Sequence, residues 1–159
     1  MHYEGKLRVR ACGILIENDQ ILLVRHIGVD HKPHFWSPPG GGISFGESSQ
    51  DAVVREFFEE TNLKIRVKNY LFSNEYIGDK IHAIEIFFEV ERISGEANLG
   101  HDPELTPENQ ILDKVAWYSI SELIDLDNQK KHNILHRISS FQDLISKNGF
   151  FEFQGNSSK

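Results

Sequence analysis

The stretch from Pro39 to Leu63 joins a glycine-rich turn to a segment with helical periodicity, and it limits the possible fold and chemistry of this chain more than any other stretch. At helical spacing, Glu56 shares a face with Glu59 and Glu60. Three neighbouring carboxylates repel one another, but a divalent cation such as Mg²⁺ makes the arrangement favourable because hard cations prefer oxygen ligands. The glycines allow backbone groups to approach a phosphate or a metal closely.

The spacing of this stretch resembles the Nudix box, the pattern G-x5-E-x7-R-E-U-x-E-E-x-G-U in which U is a bulky apolar residue. The matching positions are Gly41, Glu47, Arg55, Glu56, Phe57, Glu59, Glu60 and Leu63. Asn62 stands where the pattern has its second glycine. A left-handed C-cap is expected there, and Asn tolerates that conformation, so the substitution leaves the carboxylates of the pattern intact.

The resemblance implies a Mg²⁺-dependent hydrolase, with Mn²⁺ as the other candidate ion, that cleaves a phosphoanhydride bond in a nucleoside diphosphate linked to another moiety or in a nucleoside triphosphate. Its implied catalytic residues are Arg55, Glu56, Glu59 and Glu60, and its implied metal ligands are the same three glutamates and the carbonyl of Gly40. The general base stays open between Glu56, Glu59 and a carboxylate of the 94–110 loop. The alternative hypothesis is a catalytically inactive nucleotide-binding or regulatory domain.

Three residues outside the glutamate cluster are candidate substrate contacts: Arg25, Trp36 and Gly41. A basic residue near position 25 can contact substrate in the resembled family, although a surface arginine fits equally well. Trp36 could stack on a base or pack beneath the glycine turn. The spacing from Arg25 to the glycines is compatible with MutT-type triphosphate hydrolases, whereas the proline that ADP-ribose hydrolases tend to carry beyond the box is absent from residues 64–102.

Several polar groups invite a second interpretation. The 94–110 loop carries Glu96, Asp102, Glu104 and Glu108, which either reach the metal site or form solvated acidic surface. The histidines of residues 25–34 match no tight zinc spacing, so a solvated loop is favoured over a zinc site. An isoprenoid diphosphate isomerase would share the fold but needs a catalytic cysteine, and Cys12 lies in a strand that is predicted to be buried.

Composition excludes some partners and compartments. The net charge of −7 argues against stable nucleic acid binding, since a duplex needs Lys and Arg against its phosphates, but a nucleotide can still bind where metal ions supply positive charge. No signal peptide or membrane span is visible, and the single cysteine fits a reducing compartment, so we expect a cytoplasmic protein without membrane contact.

The element pattern predicts one α/β domain over residues 1–154, a Nudix-type α/β/α sandwich around a mixed sheet, followed by a flexible tail at 155–159. Strands are predicted at 7–16 and 21–24, paired as a hairpin, then at 63–72, 81–93 and 111–118. Residues 25–34 are predicted to be a loop. Helices are predicted from the Ser48 cap to Thr61, after a cap at Ser119 or Ser121, and over residues 129–147, whose apolar stripe is either core or a homodimer face.

Overall fold

The computed structural model describes residues 5–101, 103, 105–106 and 111–155. Its strands are β1 (Leu7–Ile14), β2 (Ile16–Glu17), β3 (Gln20–Val29), β4 (Lys32–Ser37), β5 (Gly40–Gly42), β6 (Lys64–Ile77), β7 (His82–Ser94), β8 (Leu112–Tyr118) and β9 (Phe150–Gln154). Its helices are α1 (Ser49–Thr61), α2 (Ile120–Asp125) and α3 (Gln142–Ile145), with 3₁₀ turns at Asn128–Lys130 and Asn133–Leu135. Among the described residues, none of these helices has the length and apolar character needed to span a bilayer.

Two sheets form within the described residues. The larger has the order β5-β1-β7-β6-β9, in which β1–β7 and β6–β9 are parallel and the other pairs antiparallel. In the smaller sheet, β3 pairs antiparallel with β2, β4 and β8. The predicted α/β class with a mixed sheet is therefore confirmed.

The larger sheet is covered on both faces, as the apolar strands predict. Successive side chains of a strand point to opposite faces. Ala11 belongs to the core between the sheet and α1, together with Phe57, whereas Cys12 and Ile14 belong to the core on the opposite face. That second core is completed by residues of α2, α3 and the segment between them, namely Leu123, Ile134, Leu135, Ile138 and Leu144.

Helix α1 begins and ends where the sequence predicts. The hydroxyl of Ser48 accepts a hydrogen bond from the Asp51 amide at 3.0 Å. Asn62 has a φ of 62° and donates its amide to the Phe58 carbonyl, which makes it the left-handed C-cap. Ala52, Val53 and Phe57 are fully buried, so one side of α1 packs on the sheet and leaves the other side free to face a cavity.

The predicted strand pairing at the N-terminus is wrong in detail. Only Ile16–Glu17 forms a hairpin with β3, while β1 joins the other sheet between β5 and β7. Residues 25–34 are not a loop, because β3 continues to Val29 and returns as β4 through a tight turn. Asp30 and His31 have positive φ angles there, of 49° and 65°, as a two-residue hairpin turn requires.

The predicted helix over residues 129–147 is also wrong. Polar side chains accept hydrogen bonds from the backbone amides there. Asp127 accepts from the amide of Gln129, and Asp143 accepts from the amides of Ser139 and Ser140. Such local bonds compete with helical ones and break the segment into short turns. The apolar stripe is nevertheless buried in its own chain, which supports the core interpretation over a dimer face.

The C-terminus continues the sheet beyond the predicted elements. Strand β9, which we did not predict, pairs with β6, and β6 itself extends through the predicted connection to Ile77. Of the predicted flexible tail only Gly155 lies within the described residues, and its amide donates to the Ile77 carbonyl at 2.8 Å.

Candidate active site

The glycine segment is a strand rather than a turn, and its backbone lies against the carboxylate of Glu56. Strand β5 pairs with β1, so that Gly41 lies opposite Ala11 and Gly42 opposite Arg10. A Cβ on Gly41 would overlap the carboxylate of Glu56. Only glycine therefore lets Glu56 lie directly against the backbone of β5.

Arg55 ties the first half of this stretch to the second. Its guanidinium donates two hydrogen bonds to Glu47, at 2.8 and 2.9 Å, and a third to the Gly42 carbonyl at 3.1 Å. Its Nη1 also donates to Glu56 at 2.8 Å and to Glu59 at 3.3 Å. One cation thus holds three carboxylates at the surface of α1, which reduces their mutual repulsion.

This arrangement fixes the charge of Glu47. The hydrogen bonds from Arg55 lower the pKa of Glu47 to about 2, and the bond to Glu47 raises the pKa of Arg55. Because Glu47 remains ionised far below neutral pH, it anchors Arg55 and is unsuited to accept a proton.

Gly40 connects the helix to β1. Its amide donates to Glu60 at 3.2 Å, and its carbonyl accepts from Nη2 of Arg10 at 3.2 Å. A carbonyl oxygen has two lone pairs, so it can accept one further bond. Glu60 and Arg10, which carry opposite charges, are therefore held on either side of a single residue.

A cavity of about 710 Å³ opens above these groups. Its walls include Gly40, Gly41, Arg55, Glu56, Glu59 and Glu60 on the helix side, and Arg8, Arg10, His26, Lys32, Phe35, Tyr76, Glu85, Leu112 and His132 around the remainder. The predicted glycines and glutamates thus meet at one cavity of a size that suits a nucleotide.

The other two predicted substrate contacts lie elsewhere. Arg25 makes a bidentate pair with Asp113, at 2.8 and 2.5 Å, and Trp36 is buried, with its ring 4.9 Å from that of Tyr118. Neither residue lines the cavity. The reason is that β3 continues past Val24, so that Arg25 pairs with Trp36 across the smaller sheet and points away from the glycine strand.

A buried polar network that we did not predict forms the floor of the cavity. Glu85 is 2% exposed and accepts hydrogen bonds from Arg10 at 2.8 Å, His132 at 2.7 Å and Asn74 at 3.2 Å. Burial alone would raise the pKa of Glu85, but His132 and Arg10 outweigh it and lower the pKa to about 2. A carboxylate within an apolar strand was the signal in the sequence, since buried charges are rare unless paired.

The start of the 94–110 loop docks on the end of α1. The amides of Asn98, Gly100 and His101 donate to the carbonyls of Thr61, Glu60 and Glu59 at 2.8–3.0 Å. These carbonyls have no hydrogen-bond donors within the helix, so the amides of the loop supply the missing donors. A side chain on Gly100 would overlap the Glu59 carbonyl, so close docking requires glycine.

The acidic residues of that loop give no described carboxylate at the cavity. Glu96 is exposed and does not line the cavity, whereas His101 does. Asp102, Glu104 and Glu108 lie outside the described residues.

The alternatives based on cysteine and histidine find no support in the geometry. Cys12 is 1% exposed, and burial raises the pKa of its thiol, which disfavours the thiolate that a nucleophile needs. The histidines of residues 25–34 do not converge: His26 contacts Ser37 at 2.9 Å, and His31 contacts Asp79 at 3.2 Å.

The donor set at the cavity suits a hard cation. Glu56, Glu59, Glu60 and the Gly40 carbonyl offer only oxygen atoms. Within the described part of the chain no three such side chains already form a metal cage, because Glu56 and Glu59 are directed toward Arg55. The chemistry of these donors fits a divalent ion, and Arg55 is the cation that contacts Glu56 and Glu59 in this structure.

Comparison with known proteins gives a consistent family. The model of the NUDIX domain matches residues 6–138. An ADP-ribose pyrophosphatase of Methanocaldococcus jannaschii is 37% identical over 92 residues, which are 57% of this chain and 54% of that protein. An NAD-capped RNA hydrolase NudC of Photorhabdus laumondii is 33% identical over 106 residues, 67% of this chain and 37% of that protein.

Solved structures agree on the fold. A NUDIX hydrolase from Nitrosomonas europaea superimposes with a TM-score of 0.64 at 21% identity, covering 87% of this chain and 86% of that one. The chain spans about half the length of the first of the two relatives and little more than a third of the second.

Proposed function

This chain belongs to the NUDIX family, and from that premise we propose that it hydrolyses a phosphoanhydride bond in a nucleoside diphosphate linked to another moiety, with Mg²⁺ or Mn²⁺ as cofactor. The names of the two relatives favour this substrate class over a nucleoside triphosphate. ADP-ribose and an NAD cap both contain a nucleoside diphosphate joined to a second group.

One observation carries the proposal: Arg55 holds Glu47, Glu56 and Glu59 together while Glu56 rests against Gly41. A helix face with only a solvated role needs no such convergence, because exposed pairs contribute about 0–1 kcal/mol each. A ligand at the cavity explains both features, because the glycine strand makes room for the Glu56 carboxylate and Arg55 holds Glu56 and Glu59 at the cavity wall.

Glu56, Glu59 and Glu60, with the Gly40 carbonyl, would hold the divalent ion. When bound, such an ion polarises a phosphoryl oxygen and offsets charge on the leaving phosphate. The other residues at the cavity position the glutamates and contact the substrate. Arg55 and Glu47 fix the position of the glutamates, and the wall with Phe35 and Tyr76 offers aromatic surface to the nucleoside.

The resemblance leaves the general base open, and Glu56 and Glu59 are its candidates within the glutamate cluster. Both line the cavity, whereas Glu47 does not and is too acidic. A carboxylate at the cavity wall can accept the proton of a water that attacks phosphorus in line.

The test is Glu59→Gln, which preserves size and removes the charge. We expect turnover with Mg²⁺ to fall by on the order of 100-fold or more, as is typical when a charged catalytic group is lost. Hydrolysis of ADP-ribose, NAD, nucleoside triphosphates and dinucleoside polyphosphates would be followed by product chromatography, and the thermal midpoint would check the fold.

The matched control is Glu96→Gln, because Glu96 is exposed and lies outside the cavity. It should leave turnover unchanged. Full activity of the Glu59→Gln variant would refute the assignment of Glu59, and metal binding without any hydrolysis by the unmodified chain would favour a binding domain.

A further inference from the structure

A row of polar groups crosses the larger sheet beneath the cavity. In the strand register, Arg10 lies between Gly42 of β5 and Glu85 of β7, and Glu85 lies opposite Asn74 of β6. The row therefore runs across four adjacent strands on one face. Its chemistry is unlike that of the apolar row beside it, where Cys12 pairs with Phe87.

Of the two charged members of this row, Arg10 is the more exposed to the cavity. Its side chain is 15% exposed, against 2% for Glu85. Its Nη1 donates to Glu85 at 2.8 Å and its Nη2 to the Gly40 carbonyl at 3.2 Å. Its Nε is buried and has no hydrogen-bond partner among the described residues. An unsatisfied buried donor destabilises the folded chain, so folding alone does not explain this position of Arg10.

Glu85 orients Arg10 without filling the cavity. The Nδ1 of His132 accepts the amide proton of Ile134 at 3.2 Å, so its Nε2 carries the proton that is donated to Glu85. Both charges of this network line the cavity, but the guanidinium of Arg10 is the more accessible of the two. Arg8, two residues earlier on the same face of β1, adds a second guanidinium to that wall.

Gly40 sets the spacing between Arg10 and the carboxylates. Its carbonyl contacts Arg10 and its amide contacts Glu60. The cavity would therefore contain two positive centres on either side of Gly40. One is a cation held at the carboxylates, and the other is the guanidinium of Arg10. Two adjacent phosphates match this arrangement, because each phosphate can then face one positive centre.

We propose that Arg10 is a substrate-binding residue that holds the phosphate next to the one held at the glutamates, and that Glu85 positions it. This rests on the proposed function, since it takes the glutamates as the metal site. It assigns to Arg10 the role for which Arg25 was one candidate in the sequence.

The experiment measures binding of inorganic pyrophosphate in the presence of Mn²⁺ by calorimetry, together with binding of Mn²⁺ alone. In the Arg10→Gln variant we expect pyrophosphate affinity to fall by about tenfold or more, the usual effect of losing a charged hydrogen-bond donor. Mn²⁺ affinity should not fall in the same variant, because Arg10 is a cation and not a metal ligand.

Arg25→Gln is the matched control, because Arg25 also pairs with a carboxylate but lies outside the cavity. It should leave both affinities unchanged. The double variant Arg10→Gln/Glu85→Gln separates a structural role from a binding role. If Arg10 only neutralises Glu85, removing both charges restores pyrophosphate affinity, and the proposal is overturned.

If Arg10→Gln does not fold, Arg10→Lys keeps the charge while losing the planar fork. It should still bind pyrophosphate more weakly than the unmodified chain, and unchanged affinity in it overturns the proposal. Failure of the proposed function has a different signature: the unmodified chain would bind Mn²⁺ and pyrophosphate but hydrolyse none of the nucleotides.

Discussion

Residues 39–63 and residues 127–147 have similar hydrophobic periodicity but are held in different ways. The first region becomes a helix with a cap at each end and a docked loop, and its polar face carries Arg55 and the glutamates. The second is broken into short turns, because Asp127, His132 and Asp143 accept hydrogen bonds from nearby backbone amides. Periodicity therefore predicted burial correctly in both regions, but its prediction of a helix was correct in only one of them.

The two regions also anchor charge differently. In the first, Arg55 and Glu47 are partly exposed, with side chains 34% and 18% accessible. In the second, His132 is 3% exposed and contacts Glu85 on the sheet. The exposed network leaves side chains able to move toward a ligand, whereas the buried one fixes the floor of the cavity.

The largest expected effects test whether the broken segment is as much a part of the core as the helix. Phe57→Ala should cost roughly 3–5 kcal/mol and Leu144→Ala roughly 2–5 kcal/mol, since both side chains are fully buried. Chemical denaturation would measure both. The neighbouring Phe58→Ala is the control, because Phe58 is 47% exposed and its loss should cost about 0.5 kcal/mol or less. A near-zero cost for Leu144→Ala would mean that the segment is only loosely held.

The next effect concerns activity and the close contact in the first region. Gly41→Ala should reduce turnover by on the order of 100-fold, because the new Cβ displaces the Glu56 carboxylate. Gly42→Ala is the matched control, since its Cβ would meet only the end of the Arg8 side chain at 3.2 Å. Steady-state kinetics would compare the two, and equal activities would show that Glu56 does not need the glycine.

The smallest effect compares the two networks by their response to acid. The pKa of both Glu47 and Glu85 is lowered to about 2 in the folded chain, from an ordinary value near 4.5. A lowered pKa means that the unfolded chain takes up protons first. The stabilisation is therefore complete above about pH 4.5 and is lost as the pH falls toward 2.

We expect the free energy of unfolding to fall over this range by at most about 1.4 kcal/mol per pH unit for each carboxylate. Glu85→Gln should flatten the acid limb more than Glu47→Gln, because solvent screens the exposed pair. Urea titrations at successive pH values would measure this difference, and a larger effect at Glu47 would reverse the comparison.

Local features account for what could be predicted about the fold. Ser48 and Asn62 carry their own capping chemistry, and the nearly continuous apolar runs of the strands indicate a sheet buried on both faces. The hairpin of residues 7–24 was mispaired because β1 and β3 join different sheets, and partner choice between strands depends on distant residues. Asn62 and Gly100 show the same contrast between local and distant causes. Asn62 indicates a helix cap from its own residue type, whereas glycine is required at position 100 only because the loop packs against α1.

Helix geometry and caps are local, so the order of residues along the chain is enough to place Arg55, Glu56, Glu59 and Glu60 on one helix after a glycine segment. Tertiary structure alone decided what faces that helix across the cavity. Arg10, Glu85 and His132 come from β1, β7 and the C-terminal segment, and they meet because of strand order and register. Arg25 and Trp36 were excluded from the cavity for the same physical reason, since the pairing of β3 with β4 and β8 directs them into other contacts.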